Sequence, residues 1–120
     1  MILIIDDNRE LCETLAEFLT LQGHAVRCAG NGSEALRLGA DSRIRPAVIL
    51  LDLEMPILDG WGFLAERGKY PLIADIPVVI VSAFQDIAQK AKDAGAVAVV
   101  CKPIDPQTLL RVIEHFGESA

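Results

Sequence analysis

Short runs of aliphatic residues recur along the chain and predict the strands of a buried sheet. Four runs consist mainly of β-branched or aliphatic side chains, at Ile2–Ile5, Ala47–Leu51, Val78–Val81 and Val97–Cys101, and a weaker fifth run covers Ala25–Cys28. The four strong runs show no alternation of apolar and polar residues, which is typical of strands covered on both faces in a parallel sheet.

Segments with helical periodicity lie between these runs. Apolar residues recur at steps of three and four from Leu11 to Leu19, and again from Leu109 to Phe116, so each segment presents an apolar stripe to the sheet. The other three predicted helices are Ser33–Gly39, Asp59–Arg67 and Asp86–Ala94. Glycines follow helices and prolines mark boundaries at Gly23, Gly39, Gly95, Pro46, Pro77 and Pro106, and the surface loops are Asp41–Arg45 and Gly68–Asp75.

Strands and helices alternate five times, and this alternation predicts the fold. Helices that return over both faces of a parallel sheet produce a doubly wound α/β fold of the flavodoxin-like class. We expect a five-stranded parallel sheet with strand order 2-1-3-4-5. The 120 residues suffice for one domain with its own core, so we expect a single domain over residues 1–120.

The charge balance narrows the classes of partner. The chain has 17 acidic and 11 basic residues and a net charge of -6, which argues against direct binding to nucleic acid or to an anionic membrane surface. Protein or cation partners are favoured instead. The N-terminus has no basic start followed by a small-residue cleavage site, and no apolar run reaches membrane-spanning length, so we expect a soluble cytoplasmic protein.

The three cysteines do not suggest a disulfide framework or a metal site. Cys12, Cys28 and Cys101 are odd in number, widely spaced and embedded in apolar segments, which suits a reducing cytosol. Strand alternation points the side chain of Cys101 away from that of Lys102, and we expect Cys101 to be a core thiol.

Polar residues follow the predicted strands at their carboxyl ends. Asp6 and Asp7 follow the first strand, Asp52 the third, Ser82 the fourth and Lys102 the fifth. In open parallel sheets, ligands bind outside the carboxyl ends of the strands, near the point where strand order reverses. The five side chains are therefore expected to converge at one edge of the sheet.

This combination of residues suits a magnesium-dependent phosphoryl transfer. Three converging carboxylates repel one another unless a cation compensates, and Mg²⁺ prefers oxygen ligands. Asp7 and Asp52 could bind the metal directly and Asp6 through water. A carboxylate can also attack phosphorus, and Asp52 is the most central. Mg²⁺, Lys102 and Ser82 would each take one phosphoryl oxygen.

Each of these residues also has a simpler interpretation. An acidic pair before a helix is often an N-cap, and Asp6 or Asp7 could fill that role as well. Asp52 alone could be a turn residue and Lys102 alone a solvated lysine. Their joint placement at the ends of three apolar strands favours a functional site.

In these residues the chain resembles the receiver domain of two-component response regulators along essentially its whole length. The matching features, in order, are the acidic pair Asp6-Asp7, Asp52 followed by Met55-Pro56 and Asp59-Gly60, Ser82 before Ala83, Gly95-Ala96, and Lys102-Pro103. Their order and spacing together make the resemblance specific.

The resemblance implies a phosphoacceptor at Asp52 that receives its phosphoryl group from a histidine kinase or a histidine phosphotransfer protein, with Mg²⁺ required. It implies metal binding by Asp6, Asp7, Asp52 and the backbone carbonyl of Glu54. It further implies a phosphate-binding and switch group of Ser82, Ala83 and Lys102, and a cis peptide bond before Pro103.

The resemblance also implies an output surface. Phosphorylation would change the face formed by helix four, strand five and helix five, and a downstream protein would bind this face. At the position where the family usually has an aromatic switch residue, three residues before the lysine, this chain has Val99. We expect a monomer or weak homodimer that acts on no substrate but itself, either alone or as a segment of a larger protein.

Three other classes of function stay open at the level of sequence. A receiver-like scaffold would bind its partner without phosphorylation. A magnesium-dependent phosphatase of the haloacid dehalogenase type would need an Asp-x-Asp pattern after the first strand and usually a cap insertion. A nucleotide or flavin module would need a Gly-, Ser- or Thr-rich loop after the first strand, where this chain has acidic residues.

Trp61, at a helix start, is expected to pack on a neighbouring loop.

Overall fold

Five parallel strands form one sheet in the order β2-β1-β3-β4-β5, which confirms the predicted fold class and strand order. The computed structural model of the chain describes residues 1–55, 57–84 and 86–117. The strands are β1 Ile2–Ile5, β2 Val26–Ala29, β3 Val48–Asp52, β4 Val78–Ser82 and β5 Ala98–Cys101. Strand order reverses between β1 and β3, so the crevice expected to bind ligands lies at their carboxyl ends.

Helices connect the strands as the periodicity predicts. They are α1 Arg9–Leu21, α2 Gly32–Gly39, α3 Gly60–Glu66, α4 Ala88–Asp93 and α5 Pro106–Phe116, and a 3-10 turn at Arg67–Lys69 follows α3. The fourth helix begins two residues later than predicted, at Ala88, and its N-cap residue Ile87 has no side chain that can accept a bond from the first turn.

Two layers of apolar side chains cover the two faces of the sheet. One face packs against α2, α3 and α4, with Phe63 and Ile80 fully buried in it. The other face packs against α1 and α5 through Leu19, Leu109 and Ile113. Every residue of β1, β3 and β4 is buried, which agrees with the uninterrupted apolar runs.

The two edge strands are more exposed than the central three. On β5, Cys101 is exposed, so the expectation of a core thiol was wrong. Alternation along the strand fixes which face a side chain points to, but it does not decide whether that face is covered at the edge of a sheet.

Among the described residues, no helix combines the length and the hydropathy needed to cross a membrane.

Ile73 anchors a segment that the sequence suggested was a surface loop, Gly68–Asp75. Its side chain is fully buried, and it packs against the last turn of α2. A Cβ atom added to Gly39 would lie 2.5 Å from Cδ1 of Ile73. Gly39 is therefore the last residue of α2, and it allows the helix to pack closely against Ile73. The C-cap residue that follows the helix is Ala40.

Arg67 holds two loops together from inside the protein. Its buried guanidinium donates hydrogen bonds to the carbonyl oxygens of Ile73 at 3.3 Å, Ile76 at 2.7 Å and Gly95 at 3.3 Å. Burial lowers the pKa of Arg67 from its usual value. The bonds join the loop before β4 to the turn after α4, where Gly95 takes the left-handed conformation with φ of 98°.

A disulfide joins Cys12 on α1 to Cys28 on β2, contrary to the expectation of three unpaired thiols. The two residues are 16 positions apart in sequence, but β2 lies beside β1, and Cys28 is paired with Ile4 in the parallel register. Ile4 faces the layer that contains Cys12, so Cys28 faces it as well. Spacing in sequence could not reveal this juxtaposition, because it depends on how α1 packs over the sheet.

Candidate functional site

The carboxyl ends of four neighbouring strands place five polar residues at one edge of the sheet. Asp6 and Asp7 follow β1, Asp52 ends β3, Ser82 ends β4, and Lys102 follows β5. Because β1, β3, β4 and β5 are parallel and adjacent, these residues share an edge that includes the reversal of strand order between β1 and β3.

Three of these residues form an acidic cluster. Asp6, Asp7 and Asp52 each offer one carboxylate oxygen, and the three oxygens lie within 4.8 Å of one another. Asp6 and Asp52 are only 6% and 5% exposed, whereas Asp7 is exposed. The cluster is therefore set into the protein at Asp6 and Asp52 and open to solvent at Asp7.

Lys102 supplies positive charge to the innermost carboxylate. Its Nζ lies 3.4 Å from Oδ1 of Asp52, and the backbone N–H of Glu54 donates to the same oxygen at 3.3 Å. The backbone N–H of Lys102 donates to the carbonyl of Ser82 at 2.8 Å, and the Lys102–Pro103 peptide bond is cis. This strand-to-strand bond fixes the start of the lysine side chain beside β4.

Asp6 is held by one hydrogen bond to its side chain and one from its backbone N–H. Its Oδ1 accepts a hydrogen bond of 2.8 Å from the N–H of Asn8, and its own N–H donates to the carbonyl of Ala29 at 3.0 Å. Burial raises the pKa of Asp6, and repulsion from Asp52 adds to the increase, although the Asn8 bond opposes it. A carboxylate in this environment is more stable with a cation beside it.

The N-cap of α1 is Asn8, so the alternative interpretation of the acidic pair as a helix cap was wrong. The Asn8 side chain accepts a hydrogen bond of 3.0 Å from the N–H of Leu11. Neither Asp6 nor Asp7 is needed for this role. Asn three residues before Leu11 is a recognisable cap pattern, and the sequence therefore contained the signal.

The residues of the expected switch group differ in exposure. Ser82 is buried, and its Oγ accepts a hydrogen bond of 3.0 Å from the N–H of Phe84. Ala83, between them, is exposed. Val99 is half-buried on β5, where it is paired with Ile80 in the register and packs against the layer that contains Phe63.

The loop after β3 brings the start of α3 close to Asp52. Asp59 caps α3 by accepting a hydrogen bond of 2.8 Å from the N–H of Gly62. A Cβ on Gly60 would lie 2.7 Å from the carbonyl oxygen of Asp52, so only glycine allows the helix to start this close to the strand. The Glu54 side chain is exposed, and Pro56 lies outside the described residues.

A cleft of about 650 Å³ beside this loop was not predicted from the sequence. Trp61, Phe84 and Lys90 contribute to its lining together with Glu54. The Lys90 Nζ lies 4.4 Å from the centroid of the Trp61 ring, so Trp61 contacts a side chain of α4. The pairing depends on the distance between α3 and α4, which no local sequence pattern specifies.

The donor set of the acidic cluster fits Mg²⁺. All three side chains offer oxygen, the atom type that Mg²⁺ prefers, and one or two carboxylates with several waters satisfy its octahedral geometry. The open side at Asp7 gives room for those waters. Softer metals favour sulfur or imidazole ligands, which this cluster does not contain.

Comparison with known proteins identifies the family to which the chain is similar. The family model of the response regulator receiver domain matches residues 2–114. The probable transcriptional regulator ycf27 of Cyanidium caldarium is 37% identical over 110 residues, which are 90% of this chain and 42% of that protein. The chain spans between 24% and 52% of the length of the first curated relatives that it matches.

Two solved structures show the same fold. The receiver domain of NtrX from Brucella abortus is 30% identical, with a TM-score of 0.85 and 100% of both chains covered. The chemotaxis response regulator CheY4 of Vibrio cholerae is 26% identical, with a TM-score of 0.86 and 96% of each chain covered. The chain thus belongs to the family of response regulator receiver domains of two-component systems.

Proposed function

We propose that residues 1–120 form one receiver domain whose Asp52 accepts a phosphoryl group from the phosphohistidine of a histidine kinase or a histidine phosphotransfer protein in the cytoplasm. One observation supports this most directly. Asp52 is 5% exposed and lies at the centre of the sheet edge, with Lys102 Nζ at 3.4 Å and the carboxylates of Asp6 and Asp7 within 4.8 Å.

In this reaction a carboxylate oxygen of Asp52 attacks phosphorus, and the bond between phosphorus and the imidazole nitrogen of the donor breaks with its electron pair going to nitrogen. Lys102 lies where its ammonium neutralises a phosphoryl oxygen. The Ser82 Oγ accepts a hydrogen bond from the N–H of Phe84, and the same hydroxyl can donate its hydrogen to another phosphoryl oxygen.

Mg²⁺ would be held by Asp6, Asp7, Asp52 and the backbone carbonyl of Glu54. When bound, it neutralises negative charge on the incoming phosphoryl group. The raised pKa of Asp6 supports this assignment, because burial and the neighbouring carboxylates disfavour a bare negative charge there.

The domain acts as a regulator and not as an enzyme on other substrates. The added charge on Asp52 favours an arrangement in which Ser82 and the loop after β4 move toward the phosphoryl group. The face formed by α4, β5 and α5 then changes, and a downstream protein that prefers one arrangement binds it. At the position where the family usually has an aromatic reporter, this chain has Val99.

The test is to incubate the protein with Mg²⁺ and acetyl phosphate and to measure intact mass. We expect one phosphoryl adduct that requires Mg²⁺ and is removed by hydroxylamine, which cleaves acyl phosphates but leaves a serine phosphate intact. Asp52→Asn should abolish the adduct. Asp93→Asn, the same change at an exposed residue of α4, should leave it unchanged.

Two outcomes would contradict the proposal. Absence of an adduct, together with absence of beryllofluoride binding, would favour a scaffold that acts without phosphorylation. Release of many equivalents of phosphate from an aryl phosphate, abolished by Asp52→Asn, would instead indicate a phosphatase.

A further inference from the structure

Cys12 and Cys28 form a pair that links the first helix to an edge strand. Their Cα atoms are 6.5 Å apart, within the roughly 4.4–6.8 Å usual for bridged cysteines. Cys12 is 3% exposed, while Cys28 is exposed on β2, the outermost strand on its side of the sheet. Cys28 is therefore the accessible residue of the pair, and Cys12 is the buried one.

The pair is connected to Asp6 from two directions. The N–H of Cys12 donates to the carbonyl of Asn8 at 3.0 Å, and the N–H of Asn8 donates to the Asp6 carboxylate at 2.8 Å. On the other side, Cys28 precedes Ala29, whose carbonyl accepts the N–H of Asp6 at 3.0 Å. A bond between the two sulfurs thus joins the two backbone segments that hold Asp6 in the acidic cluster.

A cleft of about 340 Å³ gives solutes access to both parts of this arrangement. Cys12 and Cys28 line the cleft together with Asp6 and Asp7. The sulfur pair therefore lines the same cleft as two members of the acidic cluster, Asp6 and Asp7.

We propose that Cys12 and Cys28 are a reversible thiol-oxidation site for a hydroperoxide, and that the disulfide holds Asp6 in its metal-binding position. The oxidation does not depend on the proposed function, whereas its effect on Asp6 rests on the proposed Mg²⁺ site. Exposed disulfides are the more easily reduced class, and disulfides in reducing compartments are usually transient or redox-sensing.

The oxidation balances as two successive displacements. The Cys28 thiol gives up its proton, and the thiolate attacks one peroxide oxygen. The O–O bond breaks, and the departing hydroxide takes up the released proton, so that a sulfenic acid and one water form when hydrogen peroxide is the oxidant. The Cys12 sulfur then attacks the Cys28 sulfur, the S–O bond breaks, and a second water leaves with the thiol proton. The two sulfurs lose two electrons, and the peroxide gains them. A dithiol reductant reverses the change.

Intact mass spectrometry tests the oxidation, in a Cys101→Ser background because Cys101 is an exposed thiol that would react on its own. We expect the reduced protein to lose two hydrogen atoms, about 2 Da, on treatment with hydrogen peroxide, and to regain them with dithiothreitol. Cys28→Ser in the same background should show no such loss. Addition of oxygen atoms to the Cys101→Ser protein without the loss of hydrogen would overturn the proposed site.

Calorimetric titration with Mg²⁺ tests the coupling. We expect the reduced protein to bind Mg²⁺ about 10-fold more weakly than the oxidised protein, the low end of the effect of disturbing groups that orient metal ligands. The Cys28→Ser variant should bind equally before and after peroxide, at the affinity of the reduced protein.

Equal affinity in both redox states, with the disulfide verified by mass, would overturn the coupling. Absence of Mg²⁺ binding in both states would overturn the proposed metal site and the coupling with it. The mass measurement tests the oxidation site independently of Mg²⁺ binding. Failure of the redox proposal can therefore be distinguished from failure of the proposed metal site.

Discussion

Replacing Asp6 by asparagine should stabilise the metal-free protein. Asp6 is 6% exposed, and its carboxylate oxygen lies within 4.8 Å of those of Asp7 and Asp52. The substitution keeps the shape of the side chain and its oxygen acceptor for the N–H of Asn8, but it removes the negative charge. Grouped carboxylates such as this proposed metal site repel one another when no metal is bound, and the substitution measures that cost.

Burial of the charge and repulsion from the neighbouring carboxylates disfavour ionised Asp6, while a hydrogen bond and a nearby cation favour it. Two unit charges 4.8 Å apart repel by about 3.5 kcal/mol at an effective dielectric constant of about 20. Against this, the charged carboxylate gains about 2 kcal/mol from its hydrogen bond with Asn8 and the attraction of Lys102. We expect Asp6→Asn to raise the free energy of unfolding by about 1–2 kcal/mol.

The assay measures the free energy of unfolding by urea at pH 7 in the presence of a metal chelator, and the measurement is repeated at lower pH. Because the pKa of Asp6 is raised above 3.8 in the folded state, the protonated carboxyl favours folding, and this stability is lost as pH rises through the folded pKa. The advantage of the variant should therefore be full at pH 7 and vanish below pH 3.8.

Asp7→Asn is the matched control, because the same charge is removed from the same cluster at an exposed position, and its effect should be smaller. An Asp6→Asn protein that is less stable than the parent at pH 7, or whose advantage persists below pH 3.8, would refute the reasoning.

Three further substitutions, and one control for the second of them, test the packing of the protein by urea unfolding. Arg67→Met should cost about 3 kcal/mol, because three loop carbonyls lose their donor, and a neutral result would show that water replaces it. Gly60→Ala should cost about 1–3 kcal/mol through backbone overlap, while Gly68→Ala, with open space around it, should stay within about 0.5 kcal/mol. Lys90→Gln should cost about 0.5–1 kcal/mol and alter the fluorescence of Trp61, and an unchanged spectrum would contradict the ring contact.

The strands of the sheet could be predicted because each is marked by a run of neighbouring residues in the sequence. The runs at Ile2–Ile5 and Val78–Val81 are short and aliphatic throughout, which is typical of strands covered on both faces. Asp52 and Lys102 could be assigned to the same edge for the same reason, since parallel strands end on one side. Their separation of 3.4 Å could not be derived, because it depends on the register of β3, β4 and β5.

The features that escaped prediction depend on how helices settle on the sheet. Cys12 and Cys28 meet because α1 lies over β2, and Lys90 meets Trp61 because α4 lies beside α3. Arg67 was placed at the end of a helix, but its buried position comes from carbonyls in two loops that no periodicity describes. Such contacts are set by tertiary packing, which overrides local pattern.

The cap at Asn8 has a consequence for how this domain can diverge. Because the helix is started by Asn8 and the chemistry is assigned to Asp6 and Asp7, the two duties fall on neighbouring but separate residues. Selection can therefore alter the acids without unfolding α1. A duplicated copy of the domain could lose phosphorylation by a single substitution, keep its fold and remain a binding module.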